Sequence, residues 1–301
     1  MSIQFTKLSA TGNDFILFDN RADHSLEGFK GESGFRGDEA QLFRALCARR
    51  VAIGADGILL IETAQVGKSA SLQVKSGELQ TRKPANLQTC HFTMRYFNRD
   101  GRESEMCGNG ARAAAYYACR HQLAPAEMQF EVSGDLYHAV VAGNKVRLRM
   151  QKPRNLDLTP RALKDAGMEE GGFVNTGVPH YVLFVQDVDQ VDAAKLGMKY
   201  RRHAIFQPAG TNVNFVAVGK PSHLQLRTYE RGVEEETLAC GTGAVASAVI
   251  AHLQKKMPFP IHVTTRGGGL TVYGDDQFEH LELEGEVRLV YHGEFDLKDF
   301  T

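Results

Sequence analysis

The sequence predicts an α/β (α+β) chain built as two copies of one unit, and three observations carry that reading. At 301 residues the chain is longer than one core usually encloses, about 250 residues. Three segments recur in the same order: TGNDFILF (11–18) as TGVPHYVLF (176–184), GADGILLI (54–61) as GTNVNFVAV (210–218), and ESEMCGNGARAAAYYA (103–118) as ETLACGTGAVASAVIA (236–251). Both cysteine blocks then run into small residues, which suits a helix enclosed by sheet better than one lying on a surface. Gly, Ala and Thr are common enough for one echo to be chance, but three in register point to duplication.

The elements follow in chain order. Apolar runs on either side of the first Thr-Gly turn predict strands over Ile3–Leu8 and Phe15–Asp19, and a helix begins near Asp38. The glycine turn of GADGILLI feeds a strand over Gly57–Glu62, and a further strand spans Phe92–Asn98 before the helix that opens at Gly108. A strand over Lys145–Met150 follows. The second set reads His180–Val185, Asn212–Val218 and Leu224–Tyr229, then a helix from Gly241, a hairpin within 264–276 and a strand over His280–Glu284. Relative to the second copy, the first carries polar, glycine-dotted insertions near residues 22 to 40 and 64 to 90.

Bulk properties exclude several classes. With 43% hydrophobic and 24% charged residues and a net charge of −1, nothing supports a nucleic-acid partner or an anionic membrane surface. The opening residues lack an apolar signal core and no run of about 18 apolar residues occurs, so a soluble, cytoplasmic protein without a membrane partner is expected. Cysteines at 47, 90, 107, 119 and 240 are odd in number and form no CxxC pair. Free thiols are therefore expected, and neither a disulfide scaffold nor a zinc site.

Cys107 and Cys240 admit two readings. They could be small core residues, since free cysteine is often buried. Their position argues for more: each stands where a helix starts, and unpaired backbone N–H groups there favour a thiolate and can hold a carboxylate. Two such sites related by pseudo-symmetry would face one cleft. That geometry suits inversion of a carbon centre, which needs a base on one face and an acid on the other, with the roles exchanged in reverse and no cofactor required. Asn13, Asn98, Asn212, Glu230 and Arg231 lie at turns or strand ends of the echoed blocks and could read carboxylate and ammonium groups, Arg231 in bidentate fashion. The alternative for the asparagines is turn chemistry, and for His180 a hydrogen-bonded structural role.

Two motifs mislead. CGNGARA and CGTGAVA both satisfy the loose dinucleotide pattern GxGxxA, yet RESEM and EEETLA precede them where a buried apolar strand is needed. GKS at 67–69 resembles a phosphate loop, but Glu62 stands where its first glycine belongs.

Taken together, KLSATGNDFILFDNR, FNRDGRESEMCGNGAR, GVPH, NVNF and YERGVEEETLACGTGA resemble the diaminopimelate epimerase family over essentially the whole chain. Either cysteine block alone would suggest the wider group that includes proline racemase-like and phenazine-biosynthesis isomerase-like proteins. The resemblance implies two pseudo-symmetric domains, each a mainly antiparallel sheet curled around a central helix: residues 1–150 with 286–301, and 151–285. It implies a cofactor-independent isomerase, a homodimer, that interconverts LL- and meso-2,6-diaminopimelate in lysine and peptidoglycan precursor synthesis. Cys107 and Cys240 would be the acid/base thiols. Gly108, Asn109, Gly241 and Thr242 would offer backbone N–H groups to the reacting carboxylate. Asn13, Asn98, Asn212, Glu230 and Arg231 would bind the substrate, mostly at its distal end, with His180 in support. Two positions depart from the family: Val178 replaces the Asn of GNPH, with Asn175 as a candidate to compensate, and Gly57 replaces a frequent Gln. Meso-lanthionine or another amino acid is thus an alternative substrate. A nicotinamide-dependent oxidoreductase and a duplicated amino-acid-binding protein with silent cysteines are the more remote rivals.

Overall fold

The structure, a computed structural model, describes residues 2–21, 39–64, 90–104, 106–159 and 171–300. The polar insertions and the GKS segment fall largely or wholly outside these residues.

The strands are β1 (Ser2–Ala10), β2 (Asn13–Asp19), β3 (Gly57–Thr63), β4 (Cys90–Asn98), β5 (Glu103–Ser104), β6 (Glu127–Val132), β7 (Asp135–Ala142), β8 (Lys145–Arg149) and β9 (Arg154–Asp157). They continue as β10 (Gly171–Asn175), β11 (Pro179–Phe184), β12 (Asn212–Val218), β13 (His223–Glu230), β14 (Glu235–Thr237), β15 (Ile261–Thr265), β16 (Gly268–Tyr273) and β17 (Glu282–Asp296). The α-helices are α1 (Glu39–Cys47), α2 (Gly108–Arg120), α3 (Ala193–Arg201) and α4 (Gly241–Lys255). All of these strands belong to one continuous hydrogen-bonded sheet.

The pairings repeat along the chain as the echoes do. β2 lies parallel to β3 as β11 does to β12; β3 is antiparallel to β4 as β12 is to β13. β4 lies parallel to β6 as β13 does to β15, and antiparallel hairpins follow in both cases. β17 joins the two series. Its first residues lie between β16 and β8, and from Val287 onward it pairs with β1.

Alternation along the strands divides the interior. Phe15 and Leu17 of β2 face a core that also contains the alanines of α2 and residues 244–251 of α4, whereas Ile16 and Phe18 face a second core under α1. In the other half Val182 and Val216 join the shared core, while Tyr181, Leu183, Val213 and Phe215 pack under α3. The small residues of both cysteine helices are thus explained: sheet surrounds them, and larger side chains would hold it off.

α3 and the β6–β7 hairpin were not anticipated. Gly197, a residue that weakens helix propensity, lies within α3 because a Cβ there would stand 2.4 Å from the ring of Tyr229. The strand expected over His280–Glu284 proves to be the start of the 15-residue β17.

Candidate active site

Cys107 and Cys240 are the N-cap residues of α2 and α4, in nearly the same backbone conformation: φ −134°, ψ 111° and φ −122°, ψ 112°. A Cβ built on Gly241 would lie 3.9 Å from the amide nitrogen of Asn109, so the two helix starts abut. Both cysteines line one cleft of about 630 Å³, a volume suited to a small molecule.

The positive helix end does not decide the thiol chemistry. Burial pushes Cys107 up to about 11, against hydrogen bonding from Gly110 N–H and with the Glu230 carboxylate nearby raising it further. Burial and then Glu230 likewise hold Cys240 well above the ordinary thiol range. The expectation that the helix start lowers the thiol pKa is not met: loss of water outweighs the partial charge of the amides.

On the Cys240 side the hydrogen bonds have a defined direction. Asn214 Nδ2 reaches both the Tyr181 carbonyl (3.5 Å) and His180 Nδ1 (3.0 Å), while its Oδ1 accepts from the Thr228 hydroxyl at 2.9 Å. His180 Nδ1 is therefore the acceptor and Nε2 carries the hydrogen, donated to Thr242 Oγ1 at 2.9 Å. The Thr242 hydroxyl keeps its own hydrogen for Cys240 Sγ, 3.5 Å away. His180 is fully buried, and burial, then the charge of Arg231, lower it to about 3. It is a neutral member of this chain and does not line the cleft. Glu230 hydrogen-bonds with Thr237 and Cys240, and burial raises its proton affinity.

The Cys107 side is built differently. Arg112, in the place that Val245 takes in the second copy, is wholly buried and donates from Nη2 to Asn109 Oδ1 (2.5 Å) and from Nη1 to Thr11 Oγ1 (3.2 Å). Because a guanidinium only donates, Asn109 must turn its NH2 away. That group meets Asn13 Oδ1 and, at 3.3 Å, the carbonyl of Ala239, the residue before Cys240. Asn109 thus ties one cysteine turn to the other. Asn13 then donates to Asp56 at 3.2 Å, and Arg49 bridges Asp56 and Asp14.

Asn98, Asn212, Glu230, Arg231, Gly108, Gly241 and Thr242 also line the cleft. Asn212 accepts from Arg231 N at 2.7 Å, and Arg231 Nη1 donates to the Ala209 carbonyl. Val178 forms an apolar part of the wall. Asn175 does not line the cleft; its Oδ1 accepts from Gly177 N at 3.0 Å within the turn. Tyr96, Asp56 and Arg49 line the cleft without having been singled out in the sequence. Asp56 was the most detectable of them, standing within the echoed GADGILLI block.

The diaminopimelate epimerase family model matches residues 5–155 and 172–290. The diaminopimelate epimerase of Aquifex aeolicus is 38% identical over 298 residues, with 97% of each chain covered. That of Chlorobaculum tepidum is 36% identical, covering 96% of this chain and 100% of the relative. Among solved structures, a Bacillus anthracis phenazine biosynthesis protein of the PhzF family superposes with a TM-score of 0.68 at 14% identity, over 99% of this chain and 100% of the other. A hydroxyproline epimerase from Agrobacterium vitis with bound trans-4-OH-L-proline gives 0.60 at 12%, over 98% and 93%. These structures share the fold. No α-helix among the described residues is long and apolar enough to cross a membrane.

Proposed function

Because the chain belongs to the diaminopimelate epimerase family, we propose that it interconverts LL- and meso-2,6-diaminopimelate by proton transfer between one α-carbon and the thiols of Cys107 and Cys240. The observation that carries this reading is the pair of N-cap cysteines, alike in backbone conformation, on one cleft.

One sulfur, as thiolate, takes the α-proton. The C–H electron pair stays on the α-carbon and spreads into the adjoining carboxylate, which the helix-start amides of Gly108, Asn109, Gly241 and Thr242 receive. The other sulfur, as thiol, delivers its proton to the opposite face. One C–H and one S–H bond break and one of each forms, so protons and electrons balance without a cofactor. Glu230, hydrogen-bonded to Cys240, takes the thiol proton that prepares that sulfur as base, and the hydroxyl of Thr242 steadies the resulting thiolate. Asn13, Asn98, Asn212 and Arg231 hold the rest of the substrate, with His180 fixing Thr242 from behind.

Mixing purified protein with LL-diaminopimelate in D2O, without pyridoxal phosphate and under reducing conditions, is expected to exchange the α-proton. Replacing either Cys107 or Cys240 by Ala is expected to abolish epimerisation. Absence of exchange in the wild type removes the substrate assignment, and unimpaired turnover in either variant removes the mechanism. The apolar wall at Val178 favours one second reading, an epimerase of meso-lanthionine or another amino acid, and the same exchange measured across a substrate panel separates the two.

The pairing pattern supports units of 1–150 with 286–301 and of 151–285. Cysteines without disulfides suit a reducing cytoplasm. Exposed Val290 and Tyr291 on β17 are apolar side chains that a second copy in a homodimer would cover.

A further inference from the structure

Tyr96 stands on β4, paired with Leu59 of β3 and Ser104 of β5, and its side chain faces the shared core. It is only 8% exposed, yet it lines the cleft. Its hydroxyl makes no hydrogen bond to a described residue and is not one of the sealed polar atoms, which leaves it available to an occupant of the cleft, whereas Tyr229 donates to the Glu234 carbonyl at 2.7 Å.

The ring is held firmly at both ends. Phe15 meets it edge-on, with centroids 6.2 Å apart. At the other end Gly57 makes room for the phenol: a Cβ there would stand 2.6 Å from Tyr96 Cε2, 3.3 Å from Cζ and 2.5 Å from the Phe97 carbonyl oxygen. The glycine and the free hydroxyl therefore belong to one feature. Gly57 also pairs with Asn98, whose carboxamide opens on the same cleft. Burial, then the nearby Cys107, Glu230 and Asp56, raise the phenol well above its ordinary range, so it keeps its proton and acts as a donor.

We propose that Tyr96 is a substrate-binding residue, its ring seated in the space that a side chain at position 57 would need and its hydroxyl donating a hydrogen bond to a carboxylate oxygen of the amino acid bound in the cleft. This rests on the epimerase reading, and it adds a recognition contact on the wall of the cleft that Tyr96 lines. A carboxylate is the matching ligand because the phenol keeps its proton to donate and the neighbouring Asp14 and Asp56 are already engaged by Arg49.

The test is Tyr96→Phe, which removes one oxygen and keeps the ring. Turnover of LL-diaminopimelate is expected to fall about 10- to 100-fold in kcat/KM, mainly through KM, as for loss of a hydrogen bond to a charged acceptor. The pH profile of Cys107 alkylation by iodoacetamide is expected to be unchanged, which a role in tuning the thiol would not allow. In a Cys240→Ala background, where turnover does not complicate the measurement, Tyr96→Phe is expected to weaken calorimetric binding of LL-diaminopimelate by a similar factor. Kinetics and binding within threefold of the parent proteins overturn the role of Tyr96 while leaving the epimerase intact. A wild type that neither binds nor exchanges diaminopimelate overturns the functional reading, and this contact with it.

Discussion

At the scale of single residues, burial controls the chemistry of the cleft. A thiol displaced upward binds its proton more tightly in the folded chain than in the unfolded one. The stability this contributes is complete below the ordinary thiol value of 9.0 and is lost as pH rises through about 11. Denaturant unfolding between pH 9 and 11 is therefore expected to show a loss on the order of 1–3 kcal/mol that is smaller in Cys107→Ala. An equal slope in both proteins would contradict the assigned burial. The cysteines themselves were legible in the sequence because repetition marks them. Their protonation was not, since a Cys-Gly-x-Gly motif reveals the amides around a sulfur and not the water removed from it. Tyr96 was equally hidden: RYFN reads as an ordinary strand, and only the fold sets its ring over Gly57, 39 residues earlier in the chain.

At the scale of elements, the two enclosed helices were read from composition, and the structure supplies the reason for that composition. Ala114 and Ala248 are fully buried on helices surrounded by sheet. Replacing Ala114 by Leu adds volume with no free surface to receive it and is expected to destabilise the fold by about 1–3 kcal/mol or more, measured by thermal or denaturant unfolding. A neutral result would mean that the sheet yields around α2. The parts that escaped sequence reading have local causes. α3 contains Gly197, which looks like a helix breaker until Tyr229 is placed against it. The β6–β7 turn at Ser133 and Gly134, with φ of 52° and 87°, is a short left-handed turn, and it departs from the Asn-Gly or Asp-Gly pairs that make such hairpins visible. Arg112 sits in a run of alanines, where nothing in the pattern tells a buried guanidinium from a solvated one.

At the scale of the whole molecule, one cleft contains both thiols because the two helix starts meet and Asn109 spans from one cysteine turn to the other. On the proposed mechanism the sulfurs flank a single carbon, so without substrate an oxidant is expected to join them. Mass spectrometry of oxidised protein should find a Cys107–Cys240 crosslink that forms as activity falls and is reversed by a thiol reductant. Inactivation without that crosslink would count against convergence. The duplicated architecture was visible in three short echoes, but the way the halves are joined was not. β17 begins beside β16 and ends beside β1, and no short motif announces a strand shared in that way.

The two copies have not stayed alike: where one has a buried guanidinium at Arg112, the other has Val245, a neutral imidazole and a hydroxyl. The equilibrium between two stereoisomers belongs to the substrate, so this asymmetry cannot favour either product. It can only divide the barrier unequally between the two proton transfers. On the proposed mechanism, the deuterium isotope effect for LL to meso should therefore differ from that for meso to LL, recording in reaction rates the divergence of two halves that began as one sequence.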